Sequence, residues 1–262
     1  MKVLFVGDLI GKAGIKIFKK SLSKIKSNHQ IDLCIVNGEN SSSAGKGIAL
    51  SDAENLIHMG VDVITMGNHT FFKNDIEKIF DNNMPVIRPA NMFEKNSGSG
   101  YILIDNIRYT IAVINLLGQT YMNPVNSPFE AVDKILSEIE DKADVIIVDF
   151  HAEATSEKYA LANYIDGRVS AVLGTHTHVQ TADERILEQG TGYITDVGMT
   201  GPYDSVLGIK KDIAVKKFLY SSFIRFDIAE GLGMINGVIL DIDEKTGKTI
   251  SIERINELME EY

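Results

Sequence analysis

The chain has 262 residues, 44% of them hydrophobic, enough to fill the core of one α/β domain spanning 1–262. A formal charge of −10 sets its surface against any phosphate backbone, which excludes extended sequence-independent binding to nucleic acid and a stable nucleic-acid complex, while leaving room for a small anion drawn in by local positive charge. The single cysteine, Cys34, excludes an intrachain disulfide and reads as a buried thiol in a reducing compartment; no apolar run reaches the roughly 20 residues a bilayer needs, so a soluble cytoplasmic protein without membrane contact is expected.

Val3 to Val6 is a strand that stops at Gly7-Asp8, and Ile15 to about Lys26 has the spacing of an amphipathic helix. Between them, Gly11-Lys12-Ala13-Gly14 lacks the Gly-Lys-Ser/Thr ending of a phosphate loop and reads as a turn into that helix. A second strand, Leu33 to Val36, ends near Asn37; Ser51-x-x-Glu54 has the form of a capping box opening the helix before a third strand, Val61 to Met66. His29 and His58 fall in or beside helices as ordinary surface or packing residues. This alternation is βαβ logic and implies parallel pairing.

After Pro89 the pattern changes. Tyr101 to Ile104 and Ile107 to Ile114 flank Asp105-Asn106 as in a tight hairpin, and Ser127-Pro128-x-Glu130 caps a helix running to about Asp141. Strands at 145–149, 169–173 and 192–195 follow. Phe223 to Ile228, Met234 to Ile242 and Thr249 to Ile252 read as antiparallel, the last two joined through Glu244-Lys245-Thr246-Gly247. Two mixed sheets packed face to face with helices outside fit this order better than one doubly wound sheet. Phe223, Met234 and Ile235 are candidates for exposed apolar surface, and a homo-oligomer is expected.

Five polar clusters each stand where an apolar run ends: Gly7-Asp8, Gly38-Glu39-Asn40, Gly67-Asn68-His69-Thr70, Asp149-Phe150-His151 and Gly174-Thr175-His176-Thr177-His178. Open α/β sheets place their chemistry beyond the carboxyl ends of strands. In an extended segment residues two apart point the same way, so His176 and His178 reach one place. Asp149 ends an otherwise apolar strand, and orienting a metal-bound histidine would be one reason for it. Carboxylate, imidazole and amide donors without thiolate suit a catalytic iron, manganese or zinc site. Two divalent ions against ionised Asp8 and Glu39 and one bridging hydroxide leave about +1, a positive focus for a phosphate in an acidic protein.

At these residues the sequence resembles the calcineurin-like metallophosphoesterases, and more closely the bacterial YmdB-like family of 2′,3′-cyclic-nucleotide 2′-phosphodiesterases. The likeness runs from Val3-Leu4-Phe5-Val6-Gly7-Asp8 through Asn37-Gly38-Glu39-Asn40, Gly67-Asn68-His69-Thr70, Arg88-Pro89-Ala90-Asn91 and Gly174-Thr175-His176-Thr177-His178 to Asp196-Val197-Gly198-Met199-Thr200-Gly201-Pro202. It implies a four-layer αββα sandwich of two mixed β-sheets flanked by helices. It implies two divalent or mixed-valence metal ions, iron or manganese in preference to zinc, with Asp8, Glu39, Asn40 and His178 on one and Glu39, Asn68, His151 and His176 on the other. Glu39 would bridge them and His69 would be the proton donor that binds no metal.

The wider superfamily carries Asp-x-His in its first motif and an aspartate as bridge; here Ile10 follows Leu9, and the resemblance implies Glu39 as the bridge and Asn40 as the donor in place of the missing histidine. Phe71-Phe72-Lys73 stands where a tryptophan and an acid are expected. Lys46 in the Ser41 to Gly47 loop, Phe71 beside Phe72, and Arg88 with Asn91 are candidates for substrate contact, with a solvated loop, packing beneath a turn and a surface salt bridge as their ordinary readings. The expected activity is hydrolysis of a nucleotide phosphodiester: a metal-bridging hydroxide opens a 2′,3′-cyclic nucleotide to the 3′-phosphate by in-line attack, and His69 protonates the departing oxygen. A phosphomonoesterase on the same scaffold and a metal-dependent nucleotide sensor are the rivals.

Overall fold

The structure is a computed structural model that describes residues 1–106, 108–220 and 224–260. Ile107 and Phe223, both assigned to strands above, lie outside the described residues. In the first sheet, β1 (Lys2–Val6), β3 (Leu33–Asn37), β4 (Val63–Thr65) and β5 (Val86–Ile87) are parallel neighbours. β13 (Gly233–Ile242) pairs antiparallel with β1, β14 (Thr249–Met259) and β12 (Met199–Pro202), and β12 holds the short β2 (Asp8–Leu9) in parallel. The second sheet has the order β10 (Arg185–Ile186), β11 (Gly192–Ile194), β9 (Ala171–Thr175), β8 (Val145–His151), β7 (Thr110–Leu117), β6 (Tyr101–Asp105), parallel except at its two edge pairs.

Period-two alternation divides each strand between two cores. Val3 and Phe5 of β1 and Leu33 and Ile35 of β3 face inward and meet Val113, Val145, Ile147 and Leu173 of the second sheet. Leu4, Val6, Cys34 and Val36 face outward, where α1 (Gly11–His29) brings Ile17, Phe18 and Leu22, α2 (Leu50–His58) brings Leu56, and α3 (Asp75–Asp81) brings Ile76 and Ile79. Beyond the second sheet, Ile114, Val148 and Val172 pack on Val132 and Ile135 of α4 (Pro128–Glu138) and Leu161 of α5 (Thr155–Tyr164). The layers are therefore helix, sheet, sheet, helix, as expected. Cys34 is buried, and burial pushes its thiol up to about 12. No described helix is long and apolar enough to cross a membrane.

Several local expectations are corrected. α1 begins at Gly11, four residues early, because Gly11 takes a positive φ of 58° and donates to Asn40 O, which turns the chain straight into the helix. The capping box fails: α2 starts at Leu50 with Ser51 inside it, and Asp75 accepts from Leu50 N at 3.2 Å, so a carboxylate from α3 serves the orphan donor. Asp105 is not in the turn: it belongs to β6 and pairs with Thr110 of β7, and Ile107 lies outside the described residues. Residues 224–228 form no strand, only a bridge between Ile209 and Ile228. Ser127 does cap α4, accepting from Glu130 N.

The exposed apolar residues are also placed differently. Ile235 is fully buried and Met234 half-buried. Exposed apolar surface lies instead on α6 (Lys211–Tyr220), whose Phe218, Leu219 and Tyr220 face solvent and whose only buried residue is Ala214.

Candidate metal centre

Asp8 follows β1, Glu39 and Asn40 follow β3, Asn68 and His69 follow β4, His151 closes β8, and His176 and His178 follow β9. Two residues short of Glu39 and His151 the sheets are tied together. Asn37 Nδ2 donates to Asp149 Oδ2 at 3.0 Å, and the Thr65 hydroxyl donates to the same oxygen.

One donor group centres on His151 Nε2, which lies 3.0 Å from Asn68 Oδ1, 3.0 Å from His176 Nδ1 and 3.3 Å from Glu39 Oε1. Gly67 is required beside it. A Cβ there would stand 2.4 Å from both Glu39 Oε2 and His151 Nε2, so any side chain would push the Asn68 turn away. His178 Nε2 lies 3.9 Å from Asp8 Oδ1, and Asn40 lines the same cleft as His178. Asp8 Oδ1 and Asn40 Oδ1 are buried and have no hydrogen-bond partner among the described residues. Asn40 Nδ2 donates to Gly45 O at 3.0 Å, which fixes the amide with its oxygen left over. Buried oxygens of this kind are costly unless something positive meets them, and a cation among carboxylate, amide and imidazole donors does so. The residues present fit a metal site, and Glu39, His151 and His176 bring one ligand atom each within 4.8 Å of one another.

The ring nitrogen that each histidine turns away from its group is engaged. His151 Nδ1 donates to Thr175 Oγ1 at 2.9 Å, and that hydroxyl donates onward to Asp149 Oδ1 at 2.7 Å. Asp149 thus acts on His151 through Thr175 rather than by direct contact. His176 Nε2 meets Glu153 Oε2 at 3.1 Å, and His178 Nδ1 donates to Leu207 O at 3.3 Å. These contacts set tautomers that present His151 Nε2, His176 Nδ1 and His178 Nε2 to a metal.

His176 and His178 have positive φ values of 102° and 65°, conformations that cost of order 1–3 kcal/mol each and persist only when the surroundings over-determine them. Asp196 supplies that determination. Its Oδ2 accepts from Thr177 N at 3.0 Å and from the ammonium of fully buried Lys158 at 2.7 Å. Its Oδ1 accepts from Gly198 N at 2.8 Å, and Gly198 O in turn accepts from Asp8 N at 3.1 Å. One carboxylate therefore holds both the histidine loop and the Asp8 backbone.

Charge is divided unevenly over the donors. Burial pushes the Asp8 carboxyl up, with His178 and His151 pulling it back. Burial acts the same way on Glu39, but the charge of His151 and hydrogen bonds from His151 and His69 prevail and hold it well below the usual carboxylate range. Burial opposes protonation of His151, yet Glu39 and Asp8 outweigh it and raise the imidazole to about 9. Burial and the neighbouring His151 lower His176 to about 3.

His69 leans on Glu39, with Nδ1 3.1 Å from Oε1 and its N–H donating to Oε2 at 3.0 Å, which leaves Nε2 for a ligand in the cleft. That cleft encloses about 320 Å³ between the donors and a wall containing Ile209, Phe226 and Ile228. Lys46 lines it, its ammonium 5.6 Å from the Phe72 centroid. Phe71 instead packs edge-on against Phe80, and Phe72 is the aromatic that meets His69. Arg88 points elsewhere: it is buried and donates to the carbonyls of Pro89, Asn96 and Ser97, bracing a loop rather than lining the cleft or forming a surface salt bridge. Asn91 likewise bridges Leu117 and Asn126.

Sequence reasoning missed Thr175, Glu153, Lys158 and the Leu207 carbonyl. Lys158 was legible in principle, since it occupies a core position three residues before Leu161 on the buried face of α5. The Leu207 contact, made by backbone, leaves no side-chain signal.

The chain is 46% identical over 255 residues to the 2′,3′-cyclic-nucleotide 2′-phosphodiesterase of Bacillus subtilis (strain 168), covering 97% of this chain and 96% of that protein. A crystal structure of a phosphatase from Mycoplasma pneumoniae matches with a TM-score of 0.94 at 39% identity, covering 99% of this chain and 94% of the other. A crystal structure of a hypothetical protein from Thermus thermophilus matches with a TM-score of 0.92 at 37% identity, over 98% and 99% of the two chains. The sequence profile of the YmdB-like proteins spans residues 4–255, and with this coverage the chain belongs to the YmdB-like family.

Proposed function

We propose that the chain hydrolyses 2′,3′-cyclic nucleotides to nucleoside 3′-phosphates as a dinuclear metal enzyme. Glu39 would be shared by both sites, with Asp8, Asn40 and His178 holding one ion and Asn68, His151 and His176 the other. The observation that carries this reading is the pair of unpartnered buried oxygens, Asp8 Oδ1 and Asn40 Oδ1, beside the four donors gathered on Glu39 and His151. The Bacillus subtilis relative supports the substrate class. When bound, the ions supply positive charge to the phosphoryl oxygens and a nucleophile at neutral pH. A donor set without thiolate favours iron or manganese and also admits zinc.

The protein's own part is positioning and proton transfer. Asp196 and Lys158 hold the histidine loop, Thr175 and Glu153 orient its imidazoles, and Lys46 at the cleft mouth meets an anionic substrate. Water adds to phosphorus, the bond to the ribose 2′ oxygen breaks, and His69 gives its proton to that oxygen, recovering it from solvent. A proton donor beside the donor groups favours turnover over a sensor that only binds. The span 1–262 acts as one cytoplasmic metallophosphoesterase domain, and Phe218, Leu219 and Tyr220 on α6 support a homo-oligomer.

A ribose alkoxide needs a proton to leave, whereas a nitrophenolate leaves unaided. His69→Ala is expected to retain its metals and lower turnover of 2′,3′-cyclic AMP by roughly 10² to 10⁴, with a much smaller loss on bis-p-nitrophenyl phosphate. Wild-type product should be 3′-AMP. Equal losses on both substrates with metals intact would show that His69 positions phosphate instead.

A further inference from the structure

We propose that the apolar wall facing the metal donors, formed by Ile10, Leu207, Ile209, Phe226 and Ile228, is a nucleobase subsite in which the base stacks on Phe226. It rests on the phosphodiesterase reading for the position of the phosphate. The wall is built by two extended segments. Lys210 N donates to Asp227 O at 3.0 Å and Ala229 N to Gly208 O at 2.9 Å, which ties residues 224–229 to 206–210. Side chains two apart on such a segment share a face. Phe226 and Ile228 turn to the cleft, while Arg225 and Asp227 are exposed and Asp227 pairs with Lys210.

The Phe226 ring stands between two cavities. A neighbouring one of about 580 Å³ is lined by Lys217, whose ammonium lies 4.3 Å from the ring centroid. Lys217 lines only that neighbouring cavity, whereas Phe226 lines both it and the catalytic cleft. Ile228 reaches toward the 41–47 loop, where a Cβ on Gly45 would meet its Cδ1 at 3.6 Å. Wall and loop thus close into one slot with Lys46 at its edge.

Phosphate alone gives no reason for this slot. Leu207 is 45% exposed, and Phe226 and Ile228 are half-buried, so apolar area is left open directly across from a charged floor. A flat apolar group tethered to a phosphodiester fills both halves. The wall side chains carry no donor or acceptor for base edges, so recognition goes through the ring face that every base possesses. At about 320 Å³ the slot lies at the small end of ligand sites, which run from about 300 to 1,000 Å³, and suits a mononucleotide rather than an oligonucleotide.

Calorimetric titration of the metal-loaded protein with 3′-AMP and with glycerol 2-phosphate, a base-free phosphomonoester, tests this independently of turnover. Wild type should bind 3′-AMP more tightly than glycerol 2-phosphate, and the four nucleoside 3′-monophosphates within roughly tenfold of one another, purines tightest. Phe226→Ala should cut the preference for 3′-AMP over glycerol 2-phosphate by roughly 5- to 100-fold. Phe226→Leu should lose nearly as much, and Phe226→Tyr should retain the preference. Metal content and glycerol 2-phosphate binding identify a misfolded variant, in which case the Leu and Tyr variants decide. Wild type with no preference for 3′-AMP, or Leu and Ala variants that keep it, overturns the subsite. Protein that binds 3′-AMP through Phe226 yet leaves 2′,3′-cyclic AMP intact keeps the subsite and removes the phosphodiesterase reading.

Discussion

The floor of the cleft is made of strand ends whose polar groups are locked from beneath, whereas its rim, residues 41–47, 203–210 and 224–229, is joined largely by backbone hydrogen bonds between loops. On the floor, Asp149 accepts from Asn37, Thr65 and Thr175, and Asp196 accepts from Lys158, Thr177 and Gly198, all fully buried side chains or backbone donors. On the rim, the backbone bonds Lys210 N to Asp227 O and Ala229 N to Gly208 O join segments in which Leu207, Lys210, Arg225 and Asp227 are exposed. The proposed function would put reaction geometry on the buried part and substrate choice on the exposed one, the division expected when a scaffold carries function on its loops.

Removing a charge from each region should expose the difference. Lys158→Met strands the Asp196 carboxylate in the core, and losing one member of a fully buried pair costs about 3–5 kcal/mol. Urea unfolding should show that loss, and adding Asp196→Asn should recover part of it. Asp227→Ala on the rim breaks an exposed pair with Lys210 at 3.6 Å and should leave stability nearly unchanged. Comparable losses in the two variants would erase the contrast.

A finer cut separates orientation from ligation. Thr175→Val removes the hydroxyl between His151 and Asp149 while Asn37 and Thr65 still serve the carboxylate. Affinity for the ion assigned to His151 should fall about 10- to 100-fold, with the ion assigned to His178 retained. Competition with a chromophoric chelator measures both. Equal weakening of the two sites would mean that Thr175 supports the fold around the centre rather than the tautomer of His151.

The sequence made the floor legible because each donor follows an apolar run, and period two together with strand ends suffices to place Asp8, Glu39, Asn68, His151 and His176 on one edge. The same logic gave the layers, since Val3 and Phe5 alternate with Leu4 and Val6 between two cores. Features that depend on partners distant in sequence were not legible. Asp75 replaces a local cap at Leu50, Arg88 spends its guanidinium on three carbonyls, and Ile235 is buried because its face of β13 packs in the core that α1 covers. The rim was misread for another reason: the alternating pattern up to Ile228 reads as a strand, yet the backbone of residues 224–229 meets that of 206–210 through two hydrogen bonds and one bridge, a pairing distant in sequence.

The central claim is that two ions share Glu39, and metal content under graded chelator challenge tests it most directly. Elemental analysis of wild type should find two ions per chain. Asn40→Ala should lose the ion shared with Asp8 and His178 and keep the other, whereas Glu39→Gln should lose both at the same chelator concentration. Full occupancy of both sites in Glu39→Gln, under conditions that strip Asn40→Ala, would contradict a centre bridged by Glu39.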